Sequence, residues 1–342
     1  MANIYKTITP DNITSTRTML HEEVPVTGTI VSGSTYSGNN IKTYSHGMFE
    51  SVYDYPILSS SANHLFDLTC GYYSGSGDNN SANNQNTKKV NIYGQMAQVL
   101  VGHDVNGDVL PFDADGDFST TGDKINEAYF VNLSRLLTKD EIKKGTFSLQ
   151  VGDATSWSSP FSSYLTISDG TATTKYRTNS PAGDYSVLYT GSAPYTEGTG
   201  VGLLYYQAGV AVLTASVFGA AAEMNSSGEV AQAVLTGSDI DTNADGIRHR
   251  FADLDFQNTI ELNSTIYFCN ANHNEFNYSS NPTYLSESQI RVKQVAQDAP
   301  HSYITSVGLY SADNELLATA KLSEPLKKDP SNSLTLRVRL DY

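Results

Sequence analysis

The residues of this sequence best placed to do chemistry are two runs of alternating oxygen donors. DTNADG, at Asp241 to Gly246, copies the first half of a calcium loop, with oxygens at alternate positions and a glycine for the sharp turn. The bidentate carboxylate expected at loop position twelve falls on Ala252, and Asp253 comes one residue late. DADGD, at Asp113 to Asp117, is the weaker copy, because Phe118 stands where glycine belongs and Lys124 where the glutamate does. Aspartate and glycine also gather in turns that hold no ion. A solvated acidic loop is the expectation at both places, and no metal ligand is assigned.

Other chemistries find less support. The seven histidines, His21, His46, His64, His103, His249, His273 and His301, show no H-x-x-x-H spacing for zinc. There is no G-x-S-x-G elbow and no Walker sequence, and Gly198-Thr-Gly-Val-Gly202 lacks the spacing of a nucleotide loop. Carboxylates are too numerous to single out a glycosidase pair, whose signature is a separation in space. N-x-S/T triplets such as Asn12-Ile-Thr14 and Asn263-Ser-Thr265 are expected by chance in so polar a chain. Cys70 and Cys269 stand far apart without Cys or His neighbours, and read as buried thiols. No catalytic, cofactor-binding or metal-binding residue follows, and the chain is read as non-enzymatic.

The elements that must carry these residues are mostly strands. Thr9 to Asn12 is a turn signal, and Pro25 to Val31 has strand-like β-branched content. Residues 73–89 form a Gly/Asn/Ser-rich excursion able to bury almost nothing. Ile92, Met96, Val99 and Leu100 then fall at helical spacing. Residues 104–123 hold six Asp and no Lys or Arg, an acidic loop. Thr138-Lys-Asp-Glu141 reads as a capping box ahead of a short helix ended by Gly145. Phe147 to Val151 alternates as a strand, and Ser226-Ser-Gly-Glu229 reads as a second capping box for a helix through Leu235, closed by Gly237.

Val201 to Ala222 carries no charge and is long enough to span a bilayer. Its flanks are acidic, Glu197 and Glu223, and Val210 to Phe218 is rich in β-branched residues between two glycines. That centre is therefore read as a strand buried on both faces, and not as part of a membrane span. From Asn263 on, five strands are expected: Thr265 to Cys269, Gln289 to Lys293, Tyr303 to Tyr310, Leu316 to Lys321, and Leu334 to Leu340. In the last, Leu334, Leu336, Val338 and Leu340 face one way, and Thr335, Arg337, Arg339 and Asp341 the other. Ser311 to Asn314 is the hairpin turn before the fourth. The fold class is mainly β with a few short helices. Residues 1–258 are read as a mixed β-rich body and 259–342 as a C-terminal antiparallel β domain.

Composition agrees. The 342 residues carry 21 Lys and Arg against 36 Asp and Glu, a net charge of −15. Only 17% of residues are charged and 39% are hydrophobic, which excludes wholesale disorder. Basic residues occur only in small separated groups such as Lys88-Lys89 and Lys143-Lys144, so nucleic acid is not an expected ligand. The start, MANIYKTITP, has no apolar run after its lysine, so no signal peptide is expected. The 22 tyrosines suit either protein interfaces or ordinary strands.

Ile304 to Tyr310, Glu315 to Lys328 and Leu334 to Tyr342 together resemble the C-termini of structural proteins of contractile-tailed phages, of the marine cyanophage type. Glu275 to Tyr284, Tyr44 to Tyr55, Asn179 to Tyr185 and Tyr206 to Gly209 are similar to further stretches of the same proteins. The resemblance implies a virion structural protein of the tail, in the baseplate or neck. Its expected partners are other virion proteins and copies of itself in a symmetric assembly, with no nucleic acid and no membrane span. It would be assembled in the host cytoplasm and end in the virion. Two other classes remain: an extracellular or virion-surface glycan-binding module, which shares this composition, and a virion-borne hydrolase, which would place clustered aromatics and two carboxylates in a cleft.

Overall fold

The computed structural model describes residues 5–25, 40–118, 122–191, 200–279, 281–287, 289–293, 295 and 297–342. In chain order its elements are β1 (Ile13–Pro25), β2 (Ile41–Lys42), β3 (Glu50–Tyr53), β4 (His64–Tyr72), α1 (Asn86–Leu100), β5 (Glu127–Leu133), α2 (Arg135–Thr138) and β6 (Glu141–Ile142). There follow β7 (Ser148–Gly152), β8 (Tyr164–Ser168), α3 (Ala172–Lys175), β9 (Arg177–Ser180), β10 (Gly183–Thr190), β11 (Gly200–Tyr205), β12 (Val210–Thr214), α4 (Ala231–Gly237) and α5 (Ile240–Arg250). The chain closes with β13 (Phe251–Ala271), β14 (Leu285–Ser286), β15 (Gln289–Ile290), β16 (Ser302–Tyr310), β17 (Leu316–Lys328) and β18 (Leu334–Asp341). It is mainly β, as the composition predicts. Two compact units form, one of Leu20–Ile260 and one of the described residues up to Met19 with Glu261–Tyr342. Of the expected strand at Pro25 to Val31, all beyond Pro25 lies outside the described residues.

In Leu20–Ile260 an antiparallel sheet runs in the order β13, β7, β8, β10, β11, β12, β5, β4, β3, β2, with β9 on β10 and β6 on β13. Its middle is buried on both faces, which is why β4, β5, β11 and β12 are nearly free of charge. The uncharged run 201–222 supplies two of these strands, β11 and β12, and the strand expected over Val210 to Phe218 begins at Val210 but ends at Thr214. Gly209, at φ +69°, turns the chain between β11 and β12, and beyond Thr214 the backbone leaves the sheet in a 3-10 turn, Ala215–Val217. No helix of the described residues is long and apolar enough to cross a membrane.

Helix α1 covers β4. It buries Lys89, Ile92, Tyr93, Ala97 and Leu100, while Val99, expected on that face, is exposed. Gly71 lets the two elements meet, since a Cβ there would lie 2.4 Å from the Lys89 carbonyl. The excursion at 73–89 therefore ends differently from its composition: its last residues are helical, and Lys89 is wholly buried, donating to the carbonyls of Leu235 and Ser238. Tyrosine serves this core. Tyr72, Tyr93, Tyr129, Tyr185, Tyr205 and Tyr206 are all buried, with Tyr185 stacked between Phe118 and Tyr205.

Both capping boxes are corrected. Glu141–Ile142 is strand β6, paired with β13 through Asn258↔Ile142, and the helix, α2, precedes it. Lys139, at φ +54°, ends that helix, and Gly145 is a turn residue whose N–H donates to Asp169. Ser226 to Glu229 is a turn held by Asn225, whose Oδ1 accepts from the N–H groups of Ser227 and Glu229, and α4 starts only at Ala231.

In the other unit, β18 pairs with β13 from Ser264↔Asp341 to Ala271↔Leu334, and its side chains alternate as the sequence predicts. Strands β16 and β17 form a separate two-stranded ribbon closed by the Ser311 to Asn314 turn, with Asn314 at φ +64°. Strand β17 runs on to Lys328, seven residues past the expected end. The strand expected at Gln289 to Lys293 is only Gln289–Ile290. Among the described residues of this unit the buried hydrophobics are Ala271, Tyr284, Leu309 and Val338.

Candidate functional site

Of the two aspartate runs, the structure dismantles the stronger and gathers the weaker. DTNADG is helix: Asp241 lies in the first turn of α5, where its charge suits the helix dipole, and Asp245 pairs with Arg248 three residues on at 2.7 Å. Gly246 makes no sharp turn. It faces the Met224 carbonyl, which a Cβ would approach to 2.5 Å. The calcium-loop expectation fails there because Ile247, Arg248 and Arg250 of the same stretch are core residues, which fixes the segment as a buried helix.

Asp113, Asp115 and Asp117 do converge, each offering an oxygen within 4.8 Å of the others. Gly116, at φ +72°, folds the loop, and the N–H groups of Asp115 and Asp117 donate to the carboxylates of Asp113 and Asp115 at 3.2 and 3.1 Å. Asp113 is wholly buried against the Lys124 ammonium. Burial raises its pKa, and its hydrogen bond with Asp115 lowers that of Asp115. Arg177 donates to the Asp115 carbonyl at 2.9 Å. The lysine that spoils the calcium pattern in the sequence thus supplies a positive charge to the loop.

A second polar cluster lies where β3 and β4 meet α5. Glu50 is buried, with Oε1 accepting from Thr43 at 2.6 Å and Oε2 without a hydrogen-bond partner among the described residues. Burial, reinforced by Asp245 and Asp241, raises its pKa to about 7. Arg248, wholly buried, donates to Asn40 at 2.8 Å. Nearby on the sheet, Asp67 accepts from Ser51 at 2.5 Å and meets His64 Nε2 at 2.9 Å, which raises the histidine pKa. The carboxylate here stands between serine and imidazole, so the imidazole is not the base of that hydroxyl. The single tryptophan, Trp157, stacks on His249 with ring centroids 3.8 Å apart.

Two shallow clefts are lined by polar residues. One cleft of about 240 Å³ is lined by Ser81, Asn83 and Lys88 among others, and one of about 150 Å³ by Lys175, Arg177 and Tyr189 among others. Both fall below the roughly 300 Å³ at which small-molecule pockets begin. Of Gly198 to Gly202, the first two residues lie outside the described residues, and Gly202 serves packing, since a Cβ would lie 2.2 Å from the Val212 carbonyl. Cys70 is a free, buried thiol whose pKa burial pushes up to about 12, and Cys269 is free and half-buried.

The β16–β17 ribbon also carries exposed apolar side chains that the sequence reading left unnamed. Tyr303, Tyr310, Leu316 and Leu317 are 49%, 44%, 55% and 68% exposed there. Gly308 leaves room for Tyr310 and Leu316 to lie across the strand, within 2.9 and 3.3 Å of where its Cβ would be, and Tyr5 packs on Tyr310 with centroids 4.7 Å apart. The signal was present in the alternation of both strands, but a two-sided ribbon does not announce which face is free. On β18 the charged row is partly self-satisfied, Arg339 binding Asp341 at 2.7 Å. In comparisons with family models, with curated proteins and with solved structures, nothing matches this chain.

Proposed function

We propose that this chain is a non-enzymatic structural subunit of a tailed-phage virion, placed in the tail at the baseplate or neck and joined there to other virion proteins and to copies of itself. The observation that carries the reading is the unequal provision of core. Leu20–Ile260 holds a contiguous apolar interior, whereas Glu261–Tyr342, with the N-terminal residues up to Met19, buries Ala271, Tyr284, Leu309 and Val338 and exposes Tyr278, Tyr303, Tyr310, Leu316, Leu317 and Tyr342. A two-stranded ribbon is marginal in water by itself, and exposed aromatic and aliphatic side chains on β surface are the usual material of subunit contacts. The phage resemblance, which includes this same C-terminal stretch, suggests the class of assembly. The test is quantitative mass spectrometry of purified tailed particles whose genome encodes the chain. Stoichiometric copies in particles are expected. Absence from particles that are otherwise complete would overturn the proposal.

A further inference from the structure

Asp113 and Lys124 stand directly opposite each other as an antiparallel cross-strand pair. Backbone hydrogen bonds flank them, from Ala114 to Asp123 at 2.8 Å and from Ile125 to Phe112 at 2.9 Å. The Lys124 ammonium touches Asp113 Oδ2, while Oδ1 accepts the Asp115 N–H. In the other lysine–carboxylate pairs among the described residues the carboxylate side chain is at least 19% exposed, whereas that of Asp113 is 0% exposed. The wholly buried lysines are held by neutral oxygens instead. Lys89 donates to the carbonyls of Leu235 and Ser238, and Lys328 to those of His273 and Asp329 and to Asn277 Oδ1.

A second carboxyl completes the group. The point where a Cβ would stand on Gly122 is 3.7 Å from Asp113 Oδ2 and 3.8 Å from Asp115 Oδ2, so the two carboxyls lie side by side. Burial favours the protonated form of Asp113, and the hydrogen bond between the carboxyls favours the ionised form of Asp115. Arg177, which donates to the Asp115 carbonyl, favours that ionised form too. An amine, a buried acid and a base thus meet. Keeping a paired ammonium and carboxylate out of water is costly, and burial favours the neutral form of each.

We infer that Lys124 Nζ and Asp113 Cγ join in an intramolecular amide, with Asp115 carrying the protons. The Lys124 ammonium gives one proton to the Asp115 carboxylate, and the freed nitrogen lone pair attacks Cγ of protonated Asp113. Asp115 then passes that proton to the departing hydroxyl, which leaves as water, and takes the surplus proton from the new amide nitrogen. One N–C bond forms and one C–O bond, that of Oδ2, breaks. Asp115 ends protonated, the summed charge is zero before and after, and nothing is oxidised or reduced. The retained oxygen, Oδ1, keeps its hydrogen bond from the Asp115 N–H. The amide fastens the acidic loop, whose Gly116 carbonyl accepts from the Tyr185 hydroxyl at 2.8 Å, to the segment that enters β5.

Intact mass spectrometry of the denatured full chain, with a tryptic map, tests this. The chain is expected to be lighter than its sequence by one water. Trypsin cannot cut at an acylated lysine, so residues 90–135 should appear as one peptide, again one water short, where a free Lys124 would give 90–124 and 125–135. A succinimide at Asp115-Gly116 would lose a water too, but hydroxylamine opens a succinimide and spares an amide. Lys124→Arg, which keeps the ion pair, should regain the water and yield the two peptides. Asp115→Asn, which removes the base, should slow the cross-link by about a hundredfold, leaving freshly made protein mostly at full mass. Full mass with cleavage after Lys124, a deficit abolished by hydroxylamine, or a deficit that survives in Lys124→Arg would overturn the inference. Complete cross-linking in Asp115→Asn would overturn the part given to Asp115. The bond needs no second copy, so these readouts are independent of the particle measurement.

Discussion

Glu50 shows what a single side chain contributes. With Oε2 unpartnered among the described residues and burial the leading cause, its pKa stands at about 7 against 4.5 for an ordinary glutamate. Between those two values the unfolded chain has already lost the proton that the native chain keeps. Stability from this group is therefore full below about pH 4.5 and declines as pH rises to about 7, by roughly 1–3 kcal/mol. Glu127 adds a decline of the same sign, raised to about 7 by burial and by Asp78. Glu50→Gln is expected to be more stable than the parent at pH 8 and to lose less stability between pH 5 and pH 8. Urea unfolding followed by Trp157 fluorescence reads this; equal pH dependence in the two proteins would refute it. None of this was legible in the sequence, where Glu50 is one acid among 36. The same holds for the aspartates: spacing favoured Asp241 to Gly246, yet the side chains that converge are Asp113, Asp115 and Asp117, because convergence depends on Gly116 and on the strand partners of the loop.

Elements were legible where a pattern was local and repeated. Strands β7, β16 and β18 and the turn at Ser311 follow directly from alternation and turn residues. Where a short signal competed with a distant partner, the partner won. Glu141 and Ile142 pair with β13, some 115 residues away in sequence, and that pairing overrides the capping box. Helix α5 was hidden by its own glycine and aspartates, and Gly246 offers its test. In an ordinary helix interior, glycine to alanine gains up to about 1 kcal/mol. Here the added Cβ would meet a backbone carbonyl at 2.5 Å, so Gly246→Ala should instead destabilise by about 1–3 kcal/mol. Circular dichroism melts of the two proteins decide the sign. A gain in stability would mean that α5 and Met224 are not in contact.

At the scale of the whole chain, the fold class was readable because composition sums over every element, while the difference between the units was not, because alternation looks the same in a filled core and a bare ribbon. That difference has a measurable consequence. Amide exchange should be slowest in β4, β5 and β12, whose side chains are buried and which have hydrogen-bonded strands on both sides. Among the described residues strands β16 and β17 pair only with each other, and their amides should exchange by openings of much lower free energy. If a second copy covers the ribbon, protection over residues 302–328 must rise with protein concentration by mass action, while protection over 64–72 and 127–133 stays constant. Hydrogen–deuterium exchange read by mass spectrometry at low and high concentration separates the cases. A rise confined to 302–328 places the contact on the ribbon, a rise elsewhere moves it to another surface, and identical maps would mean that the copies do not meet.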